Sequence, residues 1–88
     1  MQRISIYTKA NCVYCEYTKN LLELHKVKYD EFKLDIDFTR ENLLEMYAEA
    51  RSFPVVVVDG FHIGGYEQLK TILNEETKNT SKLLNEGV

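Results

Sequence analysis

The chain has 88 residues, a formal net charge of −3 and a hydrophobic fraction of 44%. This length holds one hydrophobic core, so we expect a single domain over residues 1–88. With 11 Lys and Arg against 14 Asp and Glu, the chain has no basic stripe, which argues against nucleic acid as a partner. The longest apolar run, residues 55–58, is far shorter than a membrane span, so no membrane partner is expected.

The first part of the chain predicts a strand, a helix and a second strand. Residues 4–7 form an apolar run typical of a buried strand, and a polar connection follows in which Asn11 is a candidate helix cap. Apolar residues at spacings of three and four then predict a helix from about 13 to 26. From residue 27 to Ile36, apolar and charged side chains alternate, as in a strand with one buried face.

A second helix and a hairpin are predicted next. Asp37 or Thr39 can cap a helix that is broken by the segment 51–54. The β-branched run 55–58 predicts a strand, and Asp59-Gly60 predicts a tight turn into a short returning strand.

The last predicted element is a third helix, which begins after Gly64-Gly65. The polar residues from about 74 to 88 either extend this helix or form a frayed tail, and Leu83-Leu84 can dock this segment onto the domain. The predicted order is therefore β-α-β-α-β-β-α, an α/β fold with a four-stranded mixed sheet flanked by three helices. The first two strands should be parallel because a helix joins them, and the last two antiparallel.

The only two cysteines, Cys12 and Cys15, stand where the first strand gives way to the first helix. A thiolate at a helix N-terminus faces free backbone N–H groups and the positive end of the helix dipole, which lowers its pKa and makes it a nucleophile. Cys15 lies one turn further on the same face, within reach of a disulfide. We therefore predict that Cys12 is the attacking thiolate and Cys15 the resolving thiol. Since no secretory signal precedes the first strand, we expect a reducing cytoplasm, where this motif indicates redox or metal chemistry.

Metal binding is the competing interpretation of the cysteine pair. Zinc normally takes four ligands, and one Cys-x-x-Cys supplies two of them. The two histidines, His25 and His62, do not stand at a spacing that points to the pair. We therefore expect no resident metal ion.

At this point the chain resembles a glutaredoxin, a member of the thioredoxin-fold family. The match covers about residues 3–73 and rests on four motifs in order: Ile6-Tyr7-Thr8-Lys9, Cys12-Val13-Tyr14-Cys15, Pro54 after Arg51-Ser52-Phe53, and His62-Ile63-Gly64-Gly65. Val13 stands where proline is usual in the family, and Gln68 where an acid is frequent. The length and this motif variant are similar to those of phage members.

The resemblance implies a glutathione-dependent thiol–disulfide oxidoreductase with glutathione as co-substrate. It would reduce protein disulfides and glutathione mixed disulfides, act as a monomer and supply electrons to ribonucleotide reductase. It also implies a cis Phe53–Pro54 peptide beside the cysteines, with the backbone of Phe53 open to pair with an extended peptide such as glutathione. The implied glutathione-binding residues are Lys9, Tyr14, Arg51, Ser52, Phe53, Pro54, Gly65, Tyr66, Glu67 and Gln68.

Two alternatives on the same fold stay open. An NrdH-type redoxin takes electrons from thioredoxin reductase, and valine at the second motif position is also seen in that group. Tyr14 and the Gly64-Gly65 turn favour the glutaredoxin branch. In the other alternative, two chains bridge an iron–sulfur cluster with one cysteine each and two glutathiones, and loss of the motif proline is compatible with that arrangement.

Overall fold

In the computed structural model, which describes residues 3–74, four strands form one mixed sheet in the order β2-β1-β3-β4. β1 and β2 run parallel, while β3 is antiparallel to both β1 and β4. This confirms the predicted element order and sheet. The elements are β1 (Ile4–Thr8), α1 (Val13–Leu24), β2 (Tyr29–Lys33), α2 (Arg40–Met46), β3 (Val55–Val58), β4 (Phe61–Gly64) and α3 at 66–74. The rest of the predicted polar extension, and the docking of Leu83-Leu84, lie outside the described residues.

The sheet is covered on both faces, and alternate residues of its central strands supply the two halves of the core. Ile6 pairs with Val56 in the register of β1 and β3, and both belong to one buried cluster with Leu22 of α1. The next pair, Tyr7 and Val55, points to the opposite face, as the two-residue period of a strand requires. The helix that carries the cysteines is thus packed on the fully buried side chains of Ile6 and Val56. The first cluster comprises Ile4, Ile6, Leu22, Val56, Leu69 and Leu73, and the second Tyr7, Phe38, Leu43, Ala50, Val55 and Val57.

The second strand is shorter than predicted. β2 ends at Lys33, and Ile36, which the alternating pattern placed on a buried face, has 78% of its surface exposed. A turn replaces the end of the strand, because the carboxylate of Asp37 accepts the backbone N–H of Lys33 at 2.8 Å and Asp35 adopts a φ of 65°. Aspartate tolerates this conformation and hydrogen-bonds to nearby backbone, so turn chemistry outweighs the alternation.

The N-terminus of α2 confirms one of the two predicted caps. Thr39 Oγ1 accepts the N–H of Asn42 at 3.1 Å, and Asn42 Oδ1 accepts the N–H of Thr39 at 3.3 Å, so the pair forms a reciprocal capping box. The predicted hairpin is also confirmed: Asp59 and Gly60 have φ values of 50° and 87°, as a tight two-residue turn requires.

Two leucines on α1 provide a test of this packing. Leu22 has no exposed surface, whereas Leu24 is 78% exposed. Leu22→Ala should lower the free energy of unfolding by about 2–5 kcal/mol, because it leaves a cavity under the helix that bears the cysteines. Leu24→Ala is the matched control and should change it by about 0.5 kcal/mol or less. Urea denaturation measures both, and equal costs for the two variants would contradict this packing.

Candidate active site

Cys12 is itself the N-cap residue of α1. Its backbone is extended, with φ −118° and ψ 106°, and its Sγ accepts a hydrogen bond from the N–H of Cys15 at 3.2 Å. The prediction of Asn11 as the cap is wrong, because Asn11 lies before the helix with a φ of 55°. The reactive sulfur therefore takes the place that a serine or aspartate oxygen usually takes at a helix N-terminus, facing N–H groups that have no partner within the helix.

The two cysteines differ in accessibility. They are joined by a disulfide with a Cα–Cα distance of 5.2 Å. Cys15 is 1% exposed, whereas Cys12 is half-buried and open to solvent on one side. An incoming sulfur can thus approach Cys12 and not Cys15, which is the arrangement that the attacking and resolving roles need.

The segment before β3 brings a free stretch of backbone to the site. The Phe53–Pro54 peptide is cis, as the family resemblance implies, and Pro54 is buried. Gly65 packs against this segment so closely that a Cβ at Gly65 would lie 3.0 Å from the carbonyl oxygen of Pro54. Within residues 3–74, no backbone hydrogen bond uses the N–H or C=O of Phe53. Both groups are therefore open to an extended ligand.

Two cations flank the ring of Phe53. Lys9 Nζ lies 5.9 Å and the guanidinium carbon of Arg40 lies 5.8 Å from the ring centroid. In the described part of the chain, neither cation has a carboxylate within ion-pair distance. Cations without partners in an acidic protein create a local positive field around Phe53, which suits an anionic ligand.

Arg40 is a site residue that the sequence interpretation missed. It is the first residue of α2, at the positive end of the helix dipole, where a cation is unfavourable. That unfavourable placement is the only signal the sequence offers. It does not say that residue 40 reaches Phe53, since this contact depends on the packing of α2 against the segment before β3.

Three tyrosines form what we call the tyrosine cluster: Tyr14, Tyr17 and Tyr66. The ring centroids lie 5.6 Å apart for Tyr14–Tyr17, 5.8 Å for Tyr14–Tyr66 and 5.9 Å for Tyr17–Tyr66. The contacts join the first turn of α1 to the start of α3, and so connect two of the predicted site residues. Tyr17 was not among the predicted site residues, although its spacing of three from Tyr14 places it on the same side of the helix.

Gln68 and Glu67 lie at the start of α3, and neither has a contact with Lys9 or Phe53 among the described residues. Gln68 Oε1 accepts the N–H of Gly65 at 2.8 Å, so its side chain caps the start of α3. Glu67 is exposed, and both residues line a shallow groove of about 340 Å³ together with Ile63 and Ile72. The structure therefore gives Gln68 a definite local role and leaves its predicted ligand role as a prediction.

Arg51 and Ser52 are exposed. Arg51 lines a groove with Arg40, Leu44 and Ala48. No contact within residues 3–74 joins either residue to the cysteine pair, and their ligand roles also stay predictions.

A polar network anchors α1 to the sheet behind the cysteines. Lys19 Nζ lies 2.8 Å from Glu16 Oε2 and 3.4 Å from Glu31 Oε2, and Thr8 Oγ1 donates to Glu31 Oε2 at 2.8 Å. The hydrogen bond to Glu16, followed by the charge of Glu31, raises the pKa of Lys19, while partial burial lowers it. Thr8 ends β1 and Glu31 lies in β2, so the network joins both strands to the helix.

Comparison with known proteins identifies relatives over most of the chain. Residues 4–63 match the family model described as glutaredoxin. Glutaredoxin 3 of Escherichia coli strain K12 is 30% identical over 69 residues, which are 78% of this chain and 83% of that protein. Glutaredoxin 1 of Rickettsia felis is 32% identical over 72 residues, which cover 78% and 70% of the two chains.

Solved structures show the same fold. Glutaredoxin 1 from Francisella tularensis, crystallised in complex with cacodylate, has a TM-score of 0.67 and 26% identity, and the match covers 97% of this chain and 99% of that one. A buckwheat glutaredoxin–glutathione complex has a TM-score of 0.72 at 24% identity, covering 85% and 71%, which is a likeness of fold. Within residues 3–74, no group of three His, Cys, Asp or Glu side chains is placed to hold a metal ion, and no helix has the length and hydropathy to cross a membrane.

The pKa of Lys19 gives a pH-dependent test of the anchoring network. An unfolded lysine loses its charge near pH 10.5, before the folded one does, so the contribution of Lys19 to stability is complete below that pH and is lost as the pH rises through the raised folded value. We expect Lys19→Met to cost at most about 1 kcal/mol of unfolding free energy at pH 8, and we expect this cost to disappear as the pH rises through the raised folded pKa of Lys19.

Lys28→Met is the matched control, because Lys28 is exposed and has no ion pair in the described part of the chain. Urea denaturation at a series of pH values compares each variant with the wild type, so that titrating tyrosines cancel. If the loss of unfolding free energy in Lys19→Met stays constant from pH 8 to beyond the raised pKa of Lys19, the ion pairs of Lys19 do not contribute to stability as described.

Proposed function

The chain belongs to the glutaredoxin family of thiol–disulfide oxidoreductases, and on that premise we propose that it uses glutathione to reduce protein disulfides and glutathione mixed disulfides. The observation that carries the proposal is the pair of cations near the ring of Phe53, Lys9 and Arg40, neither of which has an ion pair in the described part of the chain. Glutathione is an extended tripeptide with a carboxylate at each end, and the Phe53 segment offers both a positive field and unpaired backbone.

The proposed binding mode uses the backbone of Phe53 as a strand edge. Its N–H and C=O pair with the cysteinyl unit of glutathione, as in peptide recognition by strand addition. Lys9 and Arg40 then bind one terminal carboxylate by charge-assisted hydrogen bonds. Gly65 permits the close approach of Pro54 that keeps this segment in place.

The other terminus of glutathione reaches towards the start of α3 in this proposal. Tyr66 and Glu67 stand there, and the carboxylate of Glu67 suits the glutamyl ammonium. Arg51, Ser52 and Gln68 complete the expected contacts at the two ends. The buckwheat glutaredoxin in the solved complex binds glutathione on the same fold, which supports this choice of ligand.

For a glutathione mixed disulfide, the reaction needs Cys12 alone. The Cys12 thiolate attacks the glutathione sulfur, a new S–S bond forms, and the protein substrate leaves as a thiol after taking up a proton. A second glutathione thiolate then attacks the glutathionyl sulfur on Cys12. Oxidised glutathione departs and the Cys12 thiolate is restored, stabilised by the N–H of Cys15 that its sulfur accepts in the structure.

For a protein disulfide, both cysteines react. Cys12 attacks one substrate sulfur and the other leaves as a thiolate; Cys15 then attacks Cys12 of the mixed disulfide and releases the second thiol. The product is the Cys12–Cys15 disulfide that the structure contains. Two glutathiones return the two electrons and are themselves oxidised.

The cellular setting belongs to the same proposal. We place the reaction in a reducing cytoplasm, where glutathione is abundant and reduced, with the protein acting as a monomer. Ribonucleotide reductase is a candidate among the protein disulfides that it would reduce.

A coupled assay tests the source of electrons. Turnover of a glutathione mixed disulfide is followed by NADPH consumption, with glutathione and glutathione reductase in one cuvette and thioredoxin reductase in another. We expect turnover only with glutathione. Turnover only with thioredoxin reductase would overturn the proposal and assign the protein to the NrdH-type branch.

The same assay tests the role of the cations. Arg40→Gln should raise KM for the glutathionylated substrate about tenfold with little change in kcat, because a charged hydrogen bond to the ligand is lost. Lys33→Gln is the matched control, since Lys33 is an exposed cation that does not contact Phe53. If Arg40→Gln has the same KM as the control variant, Arg40 does not bind the substrate, and this part of the proposal is wrong.

A further inference from the structure

Asn11 is the residue immediately before the reactive cysteine, and its backbone has a φ of 55°. We propose that Asn11 is a positioning residue: its left-handed backbone conformation aims the Cys12 sulfur at the N–H of Cys15 and thereby sets the reactivity of Cys12. The proposal rests on the proposed function for the role of Cys12 as the attacking thiolate. It goes further in assigning a task to a residue outside the cysteine motif.

The loop between β1 and α1 has little room in which to reverse the chain. β1 ends at Thr8 and α1 begins at Val13. Because α1 is the crossover between the parallel strands β1 and β2, it runs back along the sheet in the opposite direction. The reversal therefore falls within residues 9–12. A residue with positive φ turns the backbone sharply at a single position, and in this loop that residue is Asn11.

The turn at Asn11 is coupled to the geometry of Cys12, because both ends of the loop are anchored. Thr8 is 3% exposed and pairs within the sheet, and Cys15 is 1% exposed in the first turn of α1. Between them, Cys12 has the extended backbone of an N-cap residue, and its Sγ accepts the N–H of Cys15 at 3.2 Å. A change of φ at Asn11 must be absorbed inside this short loop, and so it displaces the sulfur of Cys12.

Side-chain contacts do not account for asparagine at this position. Asn11 is exposed, and within residues 3–74 no side-chain hydrogen bond involves it. Asparagine differs from most other residues in adopting the left-handed region readily, whereas β-branched residues are rarely found there. The backbone conformation is therefore the property of Asn11 that the site uses.

The consequence for Cys12 is electrostatic. A thiolate is stabilised by the N–H that it accepts and by the positive end of the helix dipole, and both effects fall off within the first turn. A displaced sulfur therefore leaves less thiolate at neutral pH. The charged groups around the site are Lys9 before the motif, Glu16 after it and Arg40 near Phe53, and they stay the same when residue 11 is changed.

A pair of valine substitutions separates positioning from stability. Lys26 has a φ of 57°, close to that of Asn11, and it is an exposed residue at the other end of α1 from the cysteines. Asn11→Val and Lys26→Val each place a β-branched side chain where the backbone is left-handed. Both should therefore lower the urea midpoint of unfolding by comparable amounts. Only Asn11→Val should change the chemistry of Cys12.

Each substitution is made in a Cys15→Ser parent, which is reduced, desalted and treated with iodoacetamide over a range of pH. The Cys12 thiolate displaces iodide and forms an S–C bond, and mass spectrometry follows the alkylated protein. We expect Asn11→Val to raise the midpoint of the pH–rate profile by about half to one pH unit, because a hydrogen bond to the thiolate is lost. Asn11→Ala should raise it by less. Asn11→Gly and Lys26→Val should keep the midpoint of the parent.

An unchanged midpoint in Asn11→Val would overturn the proposal. So would a shift that Lys26→Val reproduces, or one as large in Asn11→Gly. If Asn11→Val does not fold, Asn11→Ala decides by the same criteria. Neither glutathione nor a reductase enters this measurement, so a protein that takes its electrons from thioredoxin reductase would refute the proposed function and leave the result unchanged. Turnover with glutathione together with an unmoved midpoint would refute the role of Asn11 alone.

Discussion

The hydrogen bond from the N–H of Cys15 to the sulfur of Cys12 is the interaction on which the rest of the structure depends. It makes the nucleophile part of the helix cap, so the start of α1 and the chemistry of the site are a single feature. An oxygen cap would stabilise the helix equally well. A sulfur cap does so while the same N–H groups and helix dipole favour its thiolate, as nucleophile and as leaving group.

The remaining parts of the site come from segments distant in sequence that the sheet brings together. β1 ends just before the cysteine motif, and β3 begins just after the cis-proline segment, and these strands are antiparallel neighbours. The end of one and the start of the other therefore meet at the same edge of the sheet. There Lys9, following β1, reaches the ring of Phe53, and Gly65 packs on Pro54. The site thus combines two cations near the ring of Phe53 with the tyrosine cluster around Tyr14.

Most of the fold follows from local sequence signals, and most errors arise where a local signal met a competing one. The element order was predicted because hydrophobic periodicity, the Asp59-Gly60 turn and the cysteine motif agree with one another. Asn11 was wrongly expected to cap α1, because cap statistics favour asparagine over a sulfur, and Ile36 was wrongly placed in a strand because alternation continues into a turn. Arg40 and Tyr17 could not be identified as site residues, since each reaches the site only through packing between elements.

The most direct test of the central claim is the pH dependence of Cys12 alkylation by iodoacetamide in a reduced Cys15→Ser variant, which leaves one thiol to titrate. The backbone N–H of residue 15 remains in that variant. If the cap stabilises the thiolate, the midpoint of the pH–rate profile of the folded variant lies well below about 8.5, the ordinary pKa of a free cysteine. Unfolding the variant in urea should raise the midpoint to that ordinary value. A midpoint at or above the ordinary value, the same in folded and unfolded protein, would contradict the account.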